Sequence, residues 1–253
     1  MDSCDFRVLG PVQVWAGDRL LPAGSGRERF VLATLLLNAG RLTPAARLVD
    51  ALWVQPPPTA QGQLHNMVSK WRRRLGAAGD RLILTRPLGY ELHLGEHRVD
   101  LLEFRRRAQR GRQAATAGDH ESAAAELSAA LGSWRGPAMA DVADELVAGL
   151  RHALHEERLA AAEALLEAQL VLAHHHDVLR SLPALRAEHP YRERLYEIEM
   201  LALAATGRRA EALRVYRSLR RRLADDLGVE PARALADLQR RILQGDEPYA
   251  SVR

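Results

Sequence analysis

The hydrophobic pattern changes period early in the chain. Phe6-Arg7-Val8-Leu9 and Val12-Gln13-Val14 alternate apolar and polar residues on either side of Gly10-Pro11, and Ala16-Gly17-Asp18 reads as a turn before Arg19-Leu20-Leu21. A period of two with Gly and Pro punctuation predicts a short antiparallel meander. From Arg27 the apolar positions Phe30, Val31, Ala33, Leu35 and Leu37 take helical spacing, with Gly40 as the stop. A second helix is expected from Thr43-Pro44 through Leu48 to Leu52-Trp53, Thr43 capping it and Pro44 filling the first helical position. Pro56-Pro57-Pro58 then forces an extended linker. Thr59 is placed to cap a third helix that runs to Leu75 and is closed by Gly76 and Gly79. Beyond it, Arg81–Arg86 and Gly89–Leu92 predict two strands joined at Pro87-Leu88 as a β-hairpin.

The third helix carries the sharpest signal. Leu64, Val68, Trp71 and Leu75 recur at helical spacing and form one apolar stripe. At about 100° per residue, Asn66, Ser69, Lys70 and Arg73 fall opposite that stripe, with Gln63, His65, Arg72 and Arg74 on its flanks. Amides, a hydroxyl and cations are the groups that hydrogen-bond base edges in the major groove and phosphates beside it. An ordinary solvated helix face normally mixes both signs of charge. Here no acid interrupts the helix itself from Thr59 to Gly79.

After Val99-Asp100-Leu101 the chain becomes Ala-rich and helical, and a repeat appears. Gly118 is followed by Ala123, Leu127 and Ala130; Gly207 is followed at the same spacings by Ala212, Tyr216 and Leu219. Small residues at such intervals let paired helices pack closely, as in tetratricopeptide-like units. A weaker middle unit runs through His174, Leu179 and Pro183 to His189-Pro190, and a final helix is expected from Pro231 to Leu243. Trp134, Tyr191, Tyr196 and Tyr216 are assigned to core packing. His174-His175-His176 cannot all chelate one ion, because consecutive helical side chains diverge, so a structural or solvated role is expected. Arg220-Arg221-Arg222 precede Asp225-Asp226 at helical spacing and read as a locally paired face. Arg105-Arg106-Arg107 has no such nearby compensation, and contact with DNA or with the first domain stays open for it.

Composition narrows the function classes. The chain has 253 residues, 47% of them hydrophobic, enough for real cores. No apolar run has the length of a membrane span, and MDSCDFRVLG lacks the basic and apolar regions of a signal peptide, so a cytoplasmic protein is expected. One cysteine, Cys4, excludes an internal disulfide or thiolate-rich metal site; it is expected at a frayed terminus. Lys70 is the single lysine and no glycine run precedes it, which excludes a P-loop. Asp141, Asp144 and Glu145 lack a glycine elbow or a related histidine, so neither an enzyme nor a cofactor or metal site is expected. The net charge of +4 is unevenly spread: residues 1–99 carry 13 Lys/Arg against 8 Asp/Glu. Thr59 to Tyr90 alone holds Lys70, Arg72, Arg73, Arg74, Arg81 and Arg86 against Asp80, a surface able to neutralise several phosphates.

The segments FRVLGPVQV, LATLLLNAGRLTPAARLVDALW, QLHNMVSKWRRRLG and LTRPLGYEL, in this order, resemble the DNA-binding domain of the Streptomyces antibiotic regulatory protein (SARP) family. The resemblance continues into that family's bacterial transcriptional activator domain through Trp134-Arg135-Gly136-Pro137 and Leu227-Gly228-Val229-Glu230-Pro231. The expected fold is mainly α: an OmpR-like winged helix-turn-helix with a short β meander and a wing hairpin over residues 1–97, then an all-α tetratricopeptide-like domain over 98–253. The resemblance implies an activator of secondary-metabolite (antibiotic) genes that binds direct repeats in double-stranded DNA, as a side-by-side dimer, and recruits RNA polymerase. Gln63, Asn66, Lys70 and Arg73 are the expected base readers, with Ser69, Arg72, Arg74 and Arg86 on phosphates or the wing groove. Repression instead of activation stays open, as does a small-molecule or protein effector of the helical domain. The alternative is a protein-binding tetratricopeptide-like scaffold without specific DNA recognition.

Overall fold

A computed structural model of the protein describes residues 3–245. Packing divides the chain into two compact units, one formed by residues up to Gln109 together with Ala129–Leu159, the other by Arg110–Ser128 with the chain from Ala160 onward.

The first unit begins with β1 (Cys4–Arg7), β2 (Gln13–Ala16) and β3 (Arg19–Leu20), which form the expected antiparallel meander, with Cys4 opposite Ala16 and Arg7 opposite Gln13. Three helices follow as α1 (Gly26–Leu37), α2 (Ala45–Leu52) and α3 (Ala60–Leu75). Between α1 and α2 lies a strand that the sequence reading did not foresee, β4 (Leu42–Pro44). A 3-10 turn (Gly76–Ala78) and a one-turn helix, α4 (Gly79–Leu82), lead into the hairpin of β5 (Ile83–Arg86) and β6 (Gly89–Leu92). Arg86 pairs with Gly89, so Pro87-Leu88 is the whole turn, and β4 pairs with β6 to give the sheet order β4-β6-β5. A last short strand, β7 (Arg98–Val99), runs parallel to β1 and closes the N-terminal sheet as β3-β2-β1-β7.

Several local expectations are corrected. Thr43 is a buried strand residue paired with Tyr90, and Pro44, not Thr43, is the N-cap of α2. Tertiary pairing with the wing has overridden the local capping signal. Thr59 has a non-extended backbone and makes no capping bond; its hydroxyl instead accepts from the Gln63 side chain at 2.9 Å. Arg81 and Leu82 are helical, because the chain needs one more turn before it enters the wing. Gly76, at φ 62°, ends α3 as expected, whereas Gly79 begins α4 against the Arg72 carbonyl, where a side chain would collide with backbone. Cys4 is not frayed but buried in β1.

The segment Val8–Val12, although it joins two strands, is largely buried, and its backbone is bonded by residues far along the chain. Arg135 N–H donates to the Leu9 carbonyl at 2.8 Å and Met139 N–H to that of Val8 at 2.9 Å. The Asp141 carboxylate accepts from Val12 N–H at 2.8 Å, and Asp100 accepts from Val8 and Leu9. Asp100 opens α5 (Asp100–Thr116), which is followed by α6 (His120–Leu131) and α7 (Asp144–Val171). Phe104, Trp134 and His155 stack edge to face in this unit, and Arg158 lies over the Trp134 ring. The cationic run after the wing is compensated: Arg105 forms a bidentate bridge with Glu157, and Arg106 and Arg107 pair with Glu103. The run is therefore not uncompensated: Glu103 lies one helical turn before Arg106 and Arg107 in the sequence itself, and only Glu157 is brought close by folding.

The second unit is a stack of helices completed by α8 (His175–Glu188), α9 (Glu193–Ala205), α10 (Arg209–Leu227) and α11 (Arg233–Gln244). Both predicted repeat signatures hold. Ala123, Leu127 and Ala130 are fully buried, as are Ala212 and Leu219, with Tyr216 nearly so. Gly118 and Gly207 take positive φ at the turns of the pairs α5–α6 and α9–α10. The turn from α7 to α8 has the same pattern of two backbone bonds, with Ala173 in the left-handed position. His174 is the N-cap residue of α8 and His175 and His176 begin that helix. Tyr191 is 46% exposed and donates to Asp226, so it does not belong to the core. The predicted pairing of Arg220–Arg222 with Asp225-Asp226 is replaced: Arg220 binds Glu230 at 2.7 Å and Arg222 reaches the Tyr196 hydroxyl at 2.9 Å.

Candidate nucleic-acid interface

Helix α3 seats itself through the apolar stripe read from the sequence, with Met67 added to it: Leu64, Val68, Trp71 and Leu75 are buried. The Trp71 indole N–H donates to the Glu28 carbonyl at 2.7 Å, which fixes α3 against the first turn of α1. The two flanks of α3 are then held from opposite sides. On one, Glu28 accepts from Lys70 Nζ at 2.8 Å and from Arg74 at 2.6 Å, while Arg74 also lies over the Trp71 ring. On the other, Arg72 donates to the Ile83 carbonyl at 2.9 and 2.6 Å and to the Thr85 hydroxyl at 2.8 Å, tying α3 to the hairpin.

Glu28 is an acid that the charge pattern of α3 alone could not reveal. Its side chain is 5% exposed, and Ser25 caps its N–H. Burial by itself would raise the carboxyl, but the Lys70 and Arg74 hydrogen bonds and charges outweigh that and hold it below the usual carboxylate range. Gly24, at φ 74°, packs over this cluster; a side chain there would meet the Glu28 carboxylate and the Arg74 guanidinium. The view of an α3 face free of acids therefore needs correction: one buried carboxylate from α1 serves two of its cations.

What remains uncommitted is the ridge most distant from the core. Asn66 and Arg73 are exposed there, Ser69 is half-buried between them, and Arg73 has no hydrogen-bond or ion-pair partner among the described residues. Gln63 is half-buried and Lys70 keeps 48% of its side chain exposed. Beside this ridge lies an open groove of about 870 Å³ whose walls include Ser25, Arg27, Trp53, Asn66, Lys70 and Glu145. Arg27 lies over the Trp53 ring, both of them lining the groove. At the wing, Arg86 pairs with Glu91 at 2.8 Å, and the hydrogen bonds from Arg86 and His93 keep the Glu91 carboxyl low. Pro87 and Leu88 are exposed at the tip. Of the eight expected DNA residues, then, Asn66, Ser69 and Arg73 share the free ridge, Gln63 beside them donates to the Thr59 hydroxyl, Lys70 borders the ridge in an ion pair, Arg72 and Arg74 are bound to the fold, and Arg86 is ion-paired on the wing. Among the described residues no three His, Cys, Asp or Glu side chains cluster as a metal site, and no helix is long and apolar enough to cross a membrane.

Three helices, a β4-β6-β5 sheet and a two-residue wing turn define the winged helix-turn-helix class, here followed by a tetratricopeptide-like helical stack. Residues 22–92 match the model of the C-terminal domain of transcriptional regulatory proteins, and residues 99–243 match the bacterial transcriptional activator domain. The chain belongs to the SARP family of transcriptional regulators that combine these two domains. It is 40% identical over 250 residues to the regulatory protein AfsR of Streptomyces griseus, covering 98% of this chain and 25% of that one. It is 35% identical to the regulatory protein DnrI of Streptomyces peucetius, covering 95% and 92% respectively. The solved structure of Mycobacterium tuberculosis EmbR in complex with a low affinity phosphopeptide superposes with a TM-score of 0.93 at 36% identity, over 97% of this chain and 66% of that one. The chain thus spans a quarter of the length of AfsR and nearly all of DnrI.

Proposed function

We propose that the protein is a sequence-specific double-stranded DNA-binding transcription activator of a secondary-metabolite gene cluster, and that α3 enters the major groove. The observation that carries this reading is the uncommitted ridge of Asn66, Ser69 and Arg73 on a helix whose two flanks are already bound to α1 and to the wing. An exposed amide and an unpaired guanidinium are the side chains suited to adenine and guanine edges. Gln63, Asn66, Lys70 and Arg73 read bases in this proposal, and Ser69 and Arg86 meet phosphates. Arg72 and Arg74 act on the same surface by holding α3 to the wing and to α1. Family membership supports the further steps: side-by-side protomers on direct repeats, and recruitment of RNA polymerase.

Footprinting on genomic DNA followed by salt titration on the best site and on scrambled DNA tests this. A direct-repeat footprint with affinity falling steeply in salt is expected. Arg73→Ala should cost about 1–3 kcal/mol and relax specificity at one position, whereas Arg72→Ala should weaken all sequences alike. Equal affinity for the site and scrambled DNA would sink the proposal and leave the helical stack as a protein-binding scaffold.

A further inference from the structure

The cluster of Glu28, Lys70 and Arg74 does more than fasten two helices. Arg74, 22% exposed and stacked on Trp71, is turned into the fold, one guanidinium nitrogen donating to Glu28 and another buried without a hydrogen-bond partner, so it offers little outward. Lys70 is different: one of its donors is taken by Glu28, yet half of the side chain remains exposed on the border of the free ridge, beside Asn66 in the groove. An ammonium has three donors, so Lys70 can still offer hydrogen bonds outward while it stays paired. A cation already neutralised by a buried carboxylate releases few counterions on meeting a phosphate, and counterion release is the main source of non-specific affinity.

We propose that Glu28 is a positioning residue for sequence discrimination: it converts Lys70 from a phosphate-binding charge into a fixed hydrogen-bond donor aimed along the base-reading ridge. The single lysine of the chain thereby adds to recognition of base acceptors without adding in proportion to binding of any duplex. The inference rests on α3 being the helix that reads DNA.

The test compares salt titrations of full-length variants on the operator and on scrambled duplex. Glu28→Gln keeps the shape but removes the charge. It should steepen the dependence of log K on log salt by up to ~0.9, one more phosphate, and raise affinity for scrambled DNA by roughly five- to tenfold at 0.1 M salt. The ratio of operator to scrambled affinity should fall accordingly. Glu28→Asp, which keeps the charge, should steepen the slope less. In a Lys70→Met background, Glu28→Gln should lose most of its effect on the slope. A purely structural role would lower both affinities and the melting temperature without steepening the slope, and that result would overturn the proposal. Should Glu28→Gln fail to melt cooperatively, Lys70→Met on the native Glu28 decides. Its slope on scrambled DNA should change by less than half as much as that of Arg73→Ala, while operator affinity falls at least fivefold further than scrambled. Equal slope losses for the two cations would refute the assignment. If Asn66→Ala and Arg73→Ala also leave operator preference intact, the groove-reading role of α3 has failed and this inference with it. If they abolish that preference while Glu28→Gln leaves the slope alone, only the role of Glu28 has failed.

Discussion

Removal of the Asp100 carboxylate should unfasten the buried loop that joins β1 to β2. One Asp100 oxygen lies 2.9 Å from Val8 N–H, and the other 3.0 Å from both Val8 and Leu9 N–H. Val8 and Leu9 are themselves fully buried, so Asp100→Ala leaves two donors without partners in an apolar setting. A buried donor deprived of its acceptor costs about 1–3 kcal/mol. Two of them set a range of about 2–6 kcal/mol. Burial pushes the Asp100 carboxyl up despite these donors and Arg135, so part of their gain is already offset by desolvation. A value in the lower half of the range, about 3 kcal/mol, is therefore expected.

A chain with two compact units need not unfold in one step, so the assay must report on the unit that holds Asp100. Tryptophan fluorescence does so, because Trp15, Trp53, Trp71 and Trp134 all lie in that unit. With a urea m-value of about 1–3 kcal/mol/M, the fluorescence midpoint should fall by about 1 M or more with m unchanged. Asp100→Asn, which keeps one acceptor oxygen but turns a donor toward Arg135, should fall between the two. A loss below about 0.5 kcal/mol for the alanine variant is the size of an ordinary surface substitution. It would show that solvent satisfies both donors and that Asp100 does not hold the loop.

The same fluorescence signal tests His97, whose Nδ1 accepts the Cys4 N–H at 2.8 Å and whose burial holds its pKa below the ordinary value of about 6.5. A depressed folded-state pKa means that the unfolded chain takes up the proton first, so this stability is present above pH ~6.5 and is lost as the pH falls toward the folded value. The urea midpoint should be lower at pH ~5.5 than at ~7.5, and His97→Gln should shrink the difference; an undiminished difference would assign it to another group. In the helical stack, Ala173 holds a left-handed conformation at φ 59°. Glycine there relieves about 1–2 kcal/mol of strain and gives back about 0.4–1 kcal/mol through the freer unfolded chain. Ala173→Gly should thus stabilise by about 0.5 kcal/mol, seen as a higher melting temperature by circular dichroism, and a lower one would show that the turn is unstrained.

Ala173 also explains which parts of the fold were legible in the sequence. The outer helix pairs declare themselves through Gly118 and Gly207, because a left-handed turn residue followed by small buried alanines is a local signature. The middle turn has the same backbone bonds but an alanine at its critical position, so its periodicity survives while its punctuation does not. The meander, the wing and the apolar stripe of α3 were legible for the same reason: each is specified by residues within a few positions of one another. Strand β4 was not, because Thr43-Pro44 is locally a good helix start and becomes a strand only by pairing with Tyr90 and Gly89. Strand β7 likewise exists through β1, more than ninety residues earlier.

Charge was the least legible property, and the reason is physical. Hydrophobic periodicity along a helix survives folding, since the buried stripe of α3 is the one the sequence shows. A count of charges on one helix does not, because an ion pair needs only one partner from anywhere in the chain. Glu28 stands 42 residues before Lys70, and Glu157 stands 52 after Arg105. Both lie in the sequence among residues whose local spacing points elsewhere. The consequence for the candidate interface is direct: of the lysine and arginine side chains crowded onto α3, Arg73 alone has no partner among the described residues, and the others have donors already fixed in place. A helix built in this way gains less from the charge of any duplex and more from the pattern of acceptors on a particular one, which is the property a regulator needs when its sites compete with a whole genome.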